Sequence, residues 1–315
     1  MDYAIINESI EEISALVSQY KEKKGYSDTL SEKLTISLLG YYLAFGSEIF
    51  KRITLALDGV ELHEFQTEEE YIAFKDELTP MSKGYNTADP GTYWDYKYDE
   101  NQKFIGAKPI VMYSLVSKIQ DVFSIIHELS HVIEGTSAQV ISEDENNLVI
   151  KNGFTERNID KETNLFKSTQ EGITELITVA IEHKILREFL KLDPTQITNA
   201  NVQSFLEENK SYQTANVMLR SYGSMSALFK DLIDSDAFFE IIKKYHYDNQ
   251  PESITEEFNS FDSRLNFNKI VTYAEQTHTD DISTIFYYSK SIQKQMDIFN
   301  EATDAKPDKR LIIVI

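Results

Sequence analysis

The 315-residue chain contains no cysteine, which excludes disulfide bonds and any metal site built from thiolates. A metal ion would have to be held by histidine and carboxylate side chains. Positive charge is also scarce: Lys and Arg total 31 against 52 Asp and Glu, for a formal net charge of -21, and no run of basic residues interrupts the acidity. We therefore expect neither nucleic acid nor an anionic membrane surface as a partner.

Long apolar runs are missing as well. The most apolar stretch, residues 34–47, is shorter than the roughly 20 residues that span a bilayer, so it predicts a buried helix and no integral membrane segment. Residues 1–8 lack a basic region followed by an apolar core, which makes a cytoplasmic location the default expectation. A cysteine-free composition equally suits an extracellular protein.

Helical periodicity dominates the first 80 residues. Ile10, Ile13 and Val17 recur at helical spacing, and Ser27 or Ser31 is placed to cap a long second helix reaching about Leu57. The glycines, Pro90 and aromatic residues of the segment 81–106 instead predict loop and short strand. We expect the rings of residues 93–98 to pack on the core, and the alternative is that they line a substrate cleft.

Strand and helix signals alternate in the central part of the chain. Residues 109–115 predict a strand, and the helix that follows is capped by Ser117 or Asp121 and ended by Gly135. Beyond it we predict a hairpin from residues 138–142 and 148–154, a helix over residues 168–190, and helices from residue 199 to about residue 300. These patterns together predict a predominantly helical α+β fold with a small sheet.

The predicted helix before Gly135 contains the sequence His127-Glu128-Leu129-Ser130-His131, a match to the HExxH pattern. On a helix, residues four positions apart lie about 40° from each other around the axis, so both imidazoles can reach one zinc ion. Glu128 lies beside the pair and can reach a water molecule on the metal without binding the metal itself. The pattern therefore predicts zinc ligands at His127 and His131 and a catalytic base at Glu128.

Apolar residues surround these three polar side chains on almost every face of the helix. Ionisable groups in such a helix cost stability unless they are paired, and a metal ion would pair them. The alternative interpretation is that both histidines satisfy hydrogen bonds in the core.

A catalytic zinc usually takes a third protein ligand. Downstream, Glu171 and Glu175 are spaced four residues apart on one predicted helix face, and Gly172 leaves room for a close approach. We predict Glu171 as the third ligand and Glu175 as the carboxylate that orients a ligating histidine, His127, through its other ring nitrogen. A solvated acidic helix face is the alternative, and Asp160, Glu162 and His183 are competing candidates for the third ligand.

The two segments together, within residues 117–178, resemble the gluzincin group of zinc metallopeptidases, which includes thermolysin-like enzymes. The resemblance implies zinc ligands at His127, His131 and Glu171, a base at Glu128 and an orienting carboxylate at Glu175. It implies a helical N-terminal region over residues 1–80, a zincin-like catalytic core over 81–195 with its small sheet next to the motif helix, and a helical lobe over 196–315 that closes the cleft. Glu134 and Ser137 occupy the positions where a metzincin would have glycine and a third histidine, which excludes that group.

The implied activity is hydrolysis of peptide bonds in a peptide or protein substrate, with Zn²⁺ as cofactor. The oxyanion would need a further donor, for which we favour Tyr212 over Tyr222 and His246. The competing hypothesis is a non-catalytic helical binding protein with a structural or vestigial zinc site. The sequence gives no indication of oligomeric state.

Overall fold

The computed structural model describes residues 2–47, 49–78, 91–101, 104–114, 118–136, 138–144, 147–153, 155–158, 163–165, 170, 174, 177–178, 180–181, 187–210, 240 and 243–246. The chain divides into two units, one formed by residues 1–136 and 184–215 and the other by residues 137–183 and 216–315. The HExxH segment belongs to the first unit. The three-part division at residues 80 and 195 stays a prediction.

Three helices open the first unit: α1 (Tyr3–Lys24), α2 (Asp28–Phe45) and α3 (Ile49–Gly59). The predicted cap at Ser27 is confirmed, since its side-chain oxygen accepts a hydrogen bond from the Leu30 amide at 3.0 Å. The predicted single helix reaching Leu57 is wrong. The chain breaks at Gly46, whose φ of 76° is a conformation that glycine adopts without the steric cost of a side chain.

The core of the first unit is built around α2, which packs against both α1 and α5 (Lys118–Gly135). Most of α2 is buried, as the apolar stretch predicts, whereas α1 presents a single buried stripe that consists of Ile6, Ile10, Ile13, Val17 and Tyr20. α3 also packs against α5. The motif helix is therefore held by two other helices.

A three-stranded sheet completes the support of α5. Its strands are β1 (Glu61–Phe65), β2 (Gly91–Tyr98) and β3 (Phe104–Ser114), in the order β1-β3-β2, with α4 (Glu68–Leu78) packed on β1 and β3. β1 runs parallel to β3, and β2 runs antiparallel to it. The strand predicted at residues 109–115 is confirmed as the second half of β3, and both β2 and β3 contact α5. The predicted packing of the rings of residues 93–98 lies outside the described side chains.

The described C-terminal part of the first unit consists of the one-turn helix α6 (Arg187–Phe189), a 3₁₀ turn (Pro194–Gln196) and α7 (Ala200–Glu208), which packs on α2. Asn199 caps α7 by accepting hydrogen bonds from the amides of Asn201 and Val202 at 3.1 Å each.

The second unit contains an antiparallel sheet in sequence order: β4 (Gln139–Asp144), β5 (Asn147–Asn152), β6 (Thr155–Asn158) and β7 (Thr163–Leu165). The predicted hairpin is confirmed by the pairing of β4 with β5. Among the described residues of the helix predicted over 168–190, all but the turn residue Leu190 have helical backbone. The helical ones are Gln170, Thr174, Ile177, Thr178, Ala180, Ile181 and the three residues of α6. Most of the region predicted as helical after residue 210 lies outside the described residues.

The chain is thus predominantly helical with a small sheet content, as its periodicity predicts. Among the helices of the described ranges, none combines the length and the apolar character needed to cross a membrane.

Candidate active site

The motif lies in the buried middle of α5. Every residue from Val122 to Ser130 is buried, and the apolar members of this run fill the space between α2, α3 and the sheet. His127 is 3% exposed and Glu128 is 6% exposed, so both polar groups are held away from bulk water.

Hydrogen bonds from α2 fix the rotation of α5 about its own axis. The Ser37 hydroxyl lies 3.2 Å from the Val122 carbonyl oxygen, and one turn further along both helices the Tyr41 hydroxyl lies 2.9 Å from the Ile126 carbonyl oxygen. Tyr41 also bonds to Ser130, whose hydroxyl donates to the same Ile126 carbonyl at 2.8 Å. Two of the partners are carbonyl groups that precede the motif, and the third is the Ser130 side chain within it, so these contacts set the direction in which the motif's side chains point.

The Tyr41 phenol is fully buried in this network. Burial raises its pKa far above the usual value, the hydrogen bond with Ser130 opposes the rise, and the negative charge of Glu134 adds to it. Tyr41 is therefore a neutral hydrogen-bonding group and not a source of charge at the site.

The two histidines lie on successive turns of α5, as predicted. Their ring centroids are 5.1 Å apart and the ring planes meet at 78°. The His131 side chain is 15% exposed and His127 is 3% exposed, so solvent reaches the pair from the side of His131. His131 Nδ1 lies 3.9 Å from Oε2 of Glu134, which is fully buried one turn later. This carboxylate is close enough to interact electrostatically with the His131 ring but too distant for a hydrogen bond.

Glu128 is held by a residue that sequence reasoning missed. The hydroxyl of Thr92, near the start of β2, donates to Glu128 Oε2 at 2.7 Å and lies 3.2 Å from the Glu128 carbonyl oxygen. A lone threonine 36 positions before the motif carries no local signal for such a role. Only the packing of β2 on α5 brings the two residues together.

The C-terminal end of α5 is tied to α3 by Arg52. Its guanidinium donates to the Ile133 carbonyl oxygen at 2.9 Å and to the Thr136 hydroxyl at 3.2 and 3.3 Å. A cation at this end of a helix satisfies carbonyl groups that have no partner within the helix and complements the helix dipole.

The structure does not describe the other residues predicted for the site, apart from His246. Glu171, Glu175 and Tyr212 lie outside the described residues, as do the alternatives Asp160, Glu162, His183 and Tyr222. Within the described ranges, no group of three or more His, Asp or Glu side chains is arranged to hold a metal ion. The third ligand and the orienting carboxylate therefore stay predictions.

Gln170, which immediately precedes the predicted ligand Glu171 in the sequence, is a described residue of the second unit. Gln170 is buried, and its side-chain oxygen accepts a hydrogen bond from the hydroxyl of Tyr245, itself fully buried, at 3.0 Å. His246, one of the alternatives for the oxyanion donor, is also completely buried. The segment 243–246 thus packs within the second unit next to the residue that precedes the predicted third ligand.

The described geometry offers two imidazoles on one helix face and a buried, hydrogen-bonded carboxylate between them in sequence. Imidazole pairs of this kind bind first-row transition metals, and a fixed carboxylate can accept and return a proton. No protein-family model, no curated protein and no solved structure matches this chain.

Proposed function

We propose that the protein is a zinc-dependent peptidase of the gluzincin type, with a zincin-like catalytic core. The observation that carries this proposal is the arrangement of His127, Glu128 and His131 on one buried helix. The two imidazoles are adjacent, and the intervening carboxylate is oriented by Thr92. A helix that needed only apolar packing would not require a histidine and a glutamate at the buried positions of His127 and Glu128, which apolar side chains more often occupy.

The residues present fit a zinc ion. In a chain without cysteine the donors must be imidazole and carboxylate, and two imidazoles with one carboxylate form a known ligand set of catalytic zinc. His127 and His131 would hold the ion together with the carboxylate of Glu171. When bound, zinc would acidify a water molecule and polarise the carbonyl group of a peptide bond.

Glu128 supplies the acid–base chemistry in this proposal. Its carboxylate accepts a proton from the attacking water and passes that proton to the leaving amine, so that one residue serves both halves of amide hydrolysis. Its burial limits competition from bulk water for the same hydrogen bonds.

The remaining roles follow from the same proposal. Glu175 would orient His127 through the ring nitrogen that does not face the metal, and Tyr212 would donate a hydrogen bond to the oxyanion. The substrate would be a peptide or protein.

The metal part of the proposal is tested by zinc content. The purified full-length chain should hold one zinc ion per molecule, measured by inductively coupled plasma mass spectrometry. His127→Ala, His131→Ala and Glu171→Ala should each lower that content. His63→Ala is the matched control, because His63 is a partly buried histidine on β1 outside the motif and its loss should leave the zinc content unchanged.

The catalytic part is tested by Glu128→Gln with a library of quenched fluorogenic peptides. Glutamine keeps the size of the side chain and can still bond to Thr92, but it cannot take up the proton. We expect unchanged zinc content and at least a roughly 10²-fold loss of cleavage, the usual contribution of a general base. Wild-type protein that holds stoichiometric zinc and cleaves nothing in the library would favour a non-catalytic binding protein instead.

A further inference from the structure

The contact between β2 and α5 joins a rigid strand to the catalytic glutamate. Thr92 is the second residue of β2 and pairs with Val111 in the antiparallel ladder with β3. Its backbone position is therefore fixed by the sheet, while its hydroxyl reaches Glu128 Oε2 at 2.7 Å. Threonine is stiff at its first side-chain torsion because two heavy atoms branch from Cβ.

The chemistry of the two groups determines which of them donates the hydrogen bond. A hydroxyl carries one proton, and an ionised carboxylate can only accept, so Thr92 is the donor and Glu128 is the acceptor. The shorter of the two available contacts, to Oε2 at 2.7 Å, is favoured over the 3.2 Å contact to the carbonyl oxygen, because hydrogen bonds to charged acceptors are the stronger ones.

We infer that Thr92 is a positioning residue that assigns different tasks to the two oxygens of Glu128. Oε2 is engaged by Thr92, which turns Oε1 towards the reaction and makes it the oxygen that accepts and returns the proton. This inference rests on the proposed peptidase function. It identifies the start of β2 as part of the catalytic apparatus, although Thr92 itself touches no reacting atom.

A general base that is free to rotate spends less time in the reactive geometry. A displacement of about 1 Å at a catalytic group can lower the rate about 10²-fold. Because the lost contact acts on the chemical step and not on substrate binding, kcat should fall while KM stays nearly constant.

The matched variants are Thr92→Ala and Thr92→Ser, which differ from each other only by the hydroxyl group. In the full-length, zinc-loaded chain, Thr92→Ala should lower kcat for the best-cleaved library peptide by about 10- to 100-fold. Thr92→Ser should stay within about 3-fold of the wild type, because serine restores the donor. Both variants should retain wild-type zinc content and a wild-type circular dichroism spectrum. If Thr92→Ala does not fold, Thr92→Val tests the same loss in a side chain of nearly the same shape.

A second readout is independent of turnover. Acetohydroxamic acid binds zinc through two oxygens and presents a proton to a neighbouring carboxylate, so its affinity reports on how well Glu128 is placed. Isothermal titration of the zinc-loaded proteins should show about 10-fold weaker binding to Thr92→Ala than to Thr92→Ser, because a misplaced Glu128 makes a poorer hydrogen bond with the bound hydroxamate.

These readouts separate the failure of this inference from the failure of the proposed function. Equal kcat and equal hydroxamate affinity in the alanine and serine variants would overturn the role of Thr92 and leave the peptidase proposal intact. A zinc-loaded wild type that cleaves no peptide would overturn the peptidase proposal. A tenfold difference in hydroxamate affinity in that same protein would still support the positioning of Glu128 by Thr92.

Discussion

The Tyr41 hydroxyl should be one of the main polar contributors to the stability of the first unit. It is completely buried, and it joins α2 to α5 through the Ile126 carbonyl oxygen at 2.9 Å and through the Ser130 hydroxyl. In Tyr41→Phe the ring still packs, but Ser130 loses a buried hydrogen-bond partner. The Ile126 carbonyl keeps its bond from Ser130 at 2.8 Å.

Two terms make up the expected loss of stability. The first is the net contribution of the lost hydrogen bond, about 0.5–1.5 kcal/mol, and the second is part of the penalty of about 1–3 kcal/mol for a buried polar group left without its partner. We therefore expect Tyr41→Phe to lower the free energy of unfolding by about 1–2 kcal/mol. At about 2–4 °C per kcal/mol, the melting temperature should fall by about 2–8 °C. Ser130→Ala should cost less, because the single Tyr41 hydroxyl proton can then be donated to the Ile126 carbonyl oxygen, 2.9 Å away. The double variant should be non-additive by at least about 0.5 kcal/mol, as is usual for residues in one network.

Urea unfolding of the full-length chain, followed by circular dichroism, measures these differences. If the curve shows more than one transition, each is fitted by itself before the free energies of unfolding are compared. Tyr42→Phe is the matched control: it is the same substitution on the next residue of α2, where the ring packs edge-on against Phe50 at 5.2 Å. Equal effects of Tyr41→Phe and Tyr42→Phe, or strict additivity of Tyr41→Phe with Ser130→Ala, would refute the proposed network.

Three further outcomes follow from the described contacts. Gly46→Ala should destabilise the chain by about 1–3 kcal/mol, because Gly46 combines φ 76° with ψ -173°, and Gly25→Ala, at φ 74° and ψ 29°, should cost less in the same urea titration. Arg52→Ala should lower stability by about 1 kcal/mol through loss of its hydrogen bonds at the end of α5, and faster amide hydrogen exchange in the last turn of α5 would report the loosening. The pKa of Tyr20 is raised from 10.0 to about 12, mainly by burial and further by its hydrogen bond to Asp58 and the charge of that residue. Its stabilising contribution should therefore be complete below pH 10.0 and lost as the pH rises to about 12, and Asp58→Asn should lower this pKa in a tyrosinate absorbance titration corrected with Tyr20→Phe.

Local signals in the sequence predicted the elements that surround the motif. Ser27 is a good helix cap, Gly135 ends α5, and the polar segment 143–147 between two β-like runs predicts the β4–β5 hairpin. Each of these features depends on residues close together in the chain, and for that reason the pattern is sufficient to find it.

Local sequence patterns did not predict two features of the structure. The break at Gly46 lies at the edge of an apolar stretch that reads as continuous helix, and a single glycine is a weak stop signal inside such a run. The Thr92–Glu128 hydrogen bond depends on tertiary packing between a strand and a helix that are distant in the sequence. Hydrophobic periodicity identifies which face of an element is buried, but it does not identify which polar side chain on a neighbouring element that face will meet.

Within the candidate site itself, the sequence predicted the helical placement of His127, Glu128 and His131 because the HExxH spacing has a direct geometric meaning on a helix. The roles of Glu171, Glu175 and Tyr212 depend on how distant segments meet the motif, and they stay predictions.

The most direct test of the central claim is a crystal structure of the zinc-loaded chain with diffraction data collected on both sides of the zinc absorption edge. We predict one anomalous peak at about 2.0–2.1 Å from a ring nitrogen of His127 and of His131, and at about 2.0–2.2 Å from a carboxylate oxygen of Glu171. A zinc peak away from the histidine pair, or no peak at all in protein crystallised with stoichiometric zinc, would contradict the claim that this helix forms a metal-dependent active site.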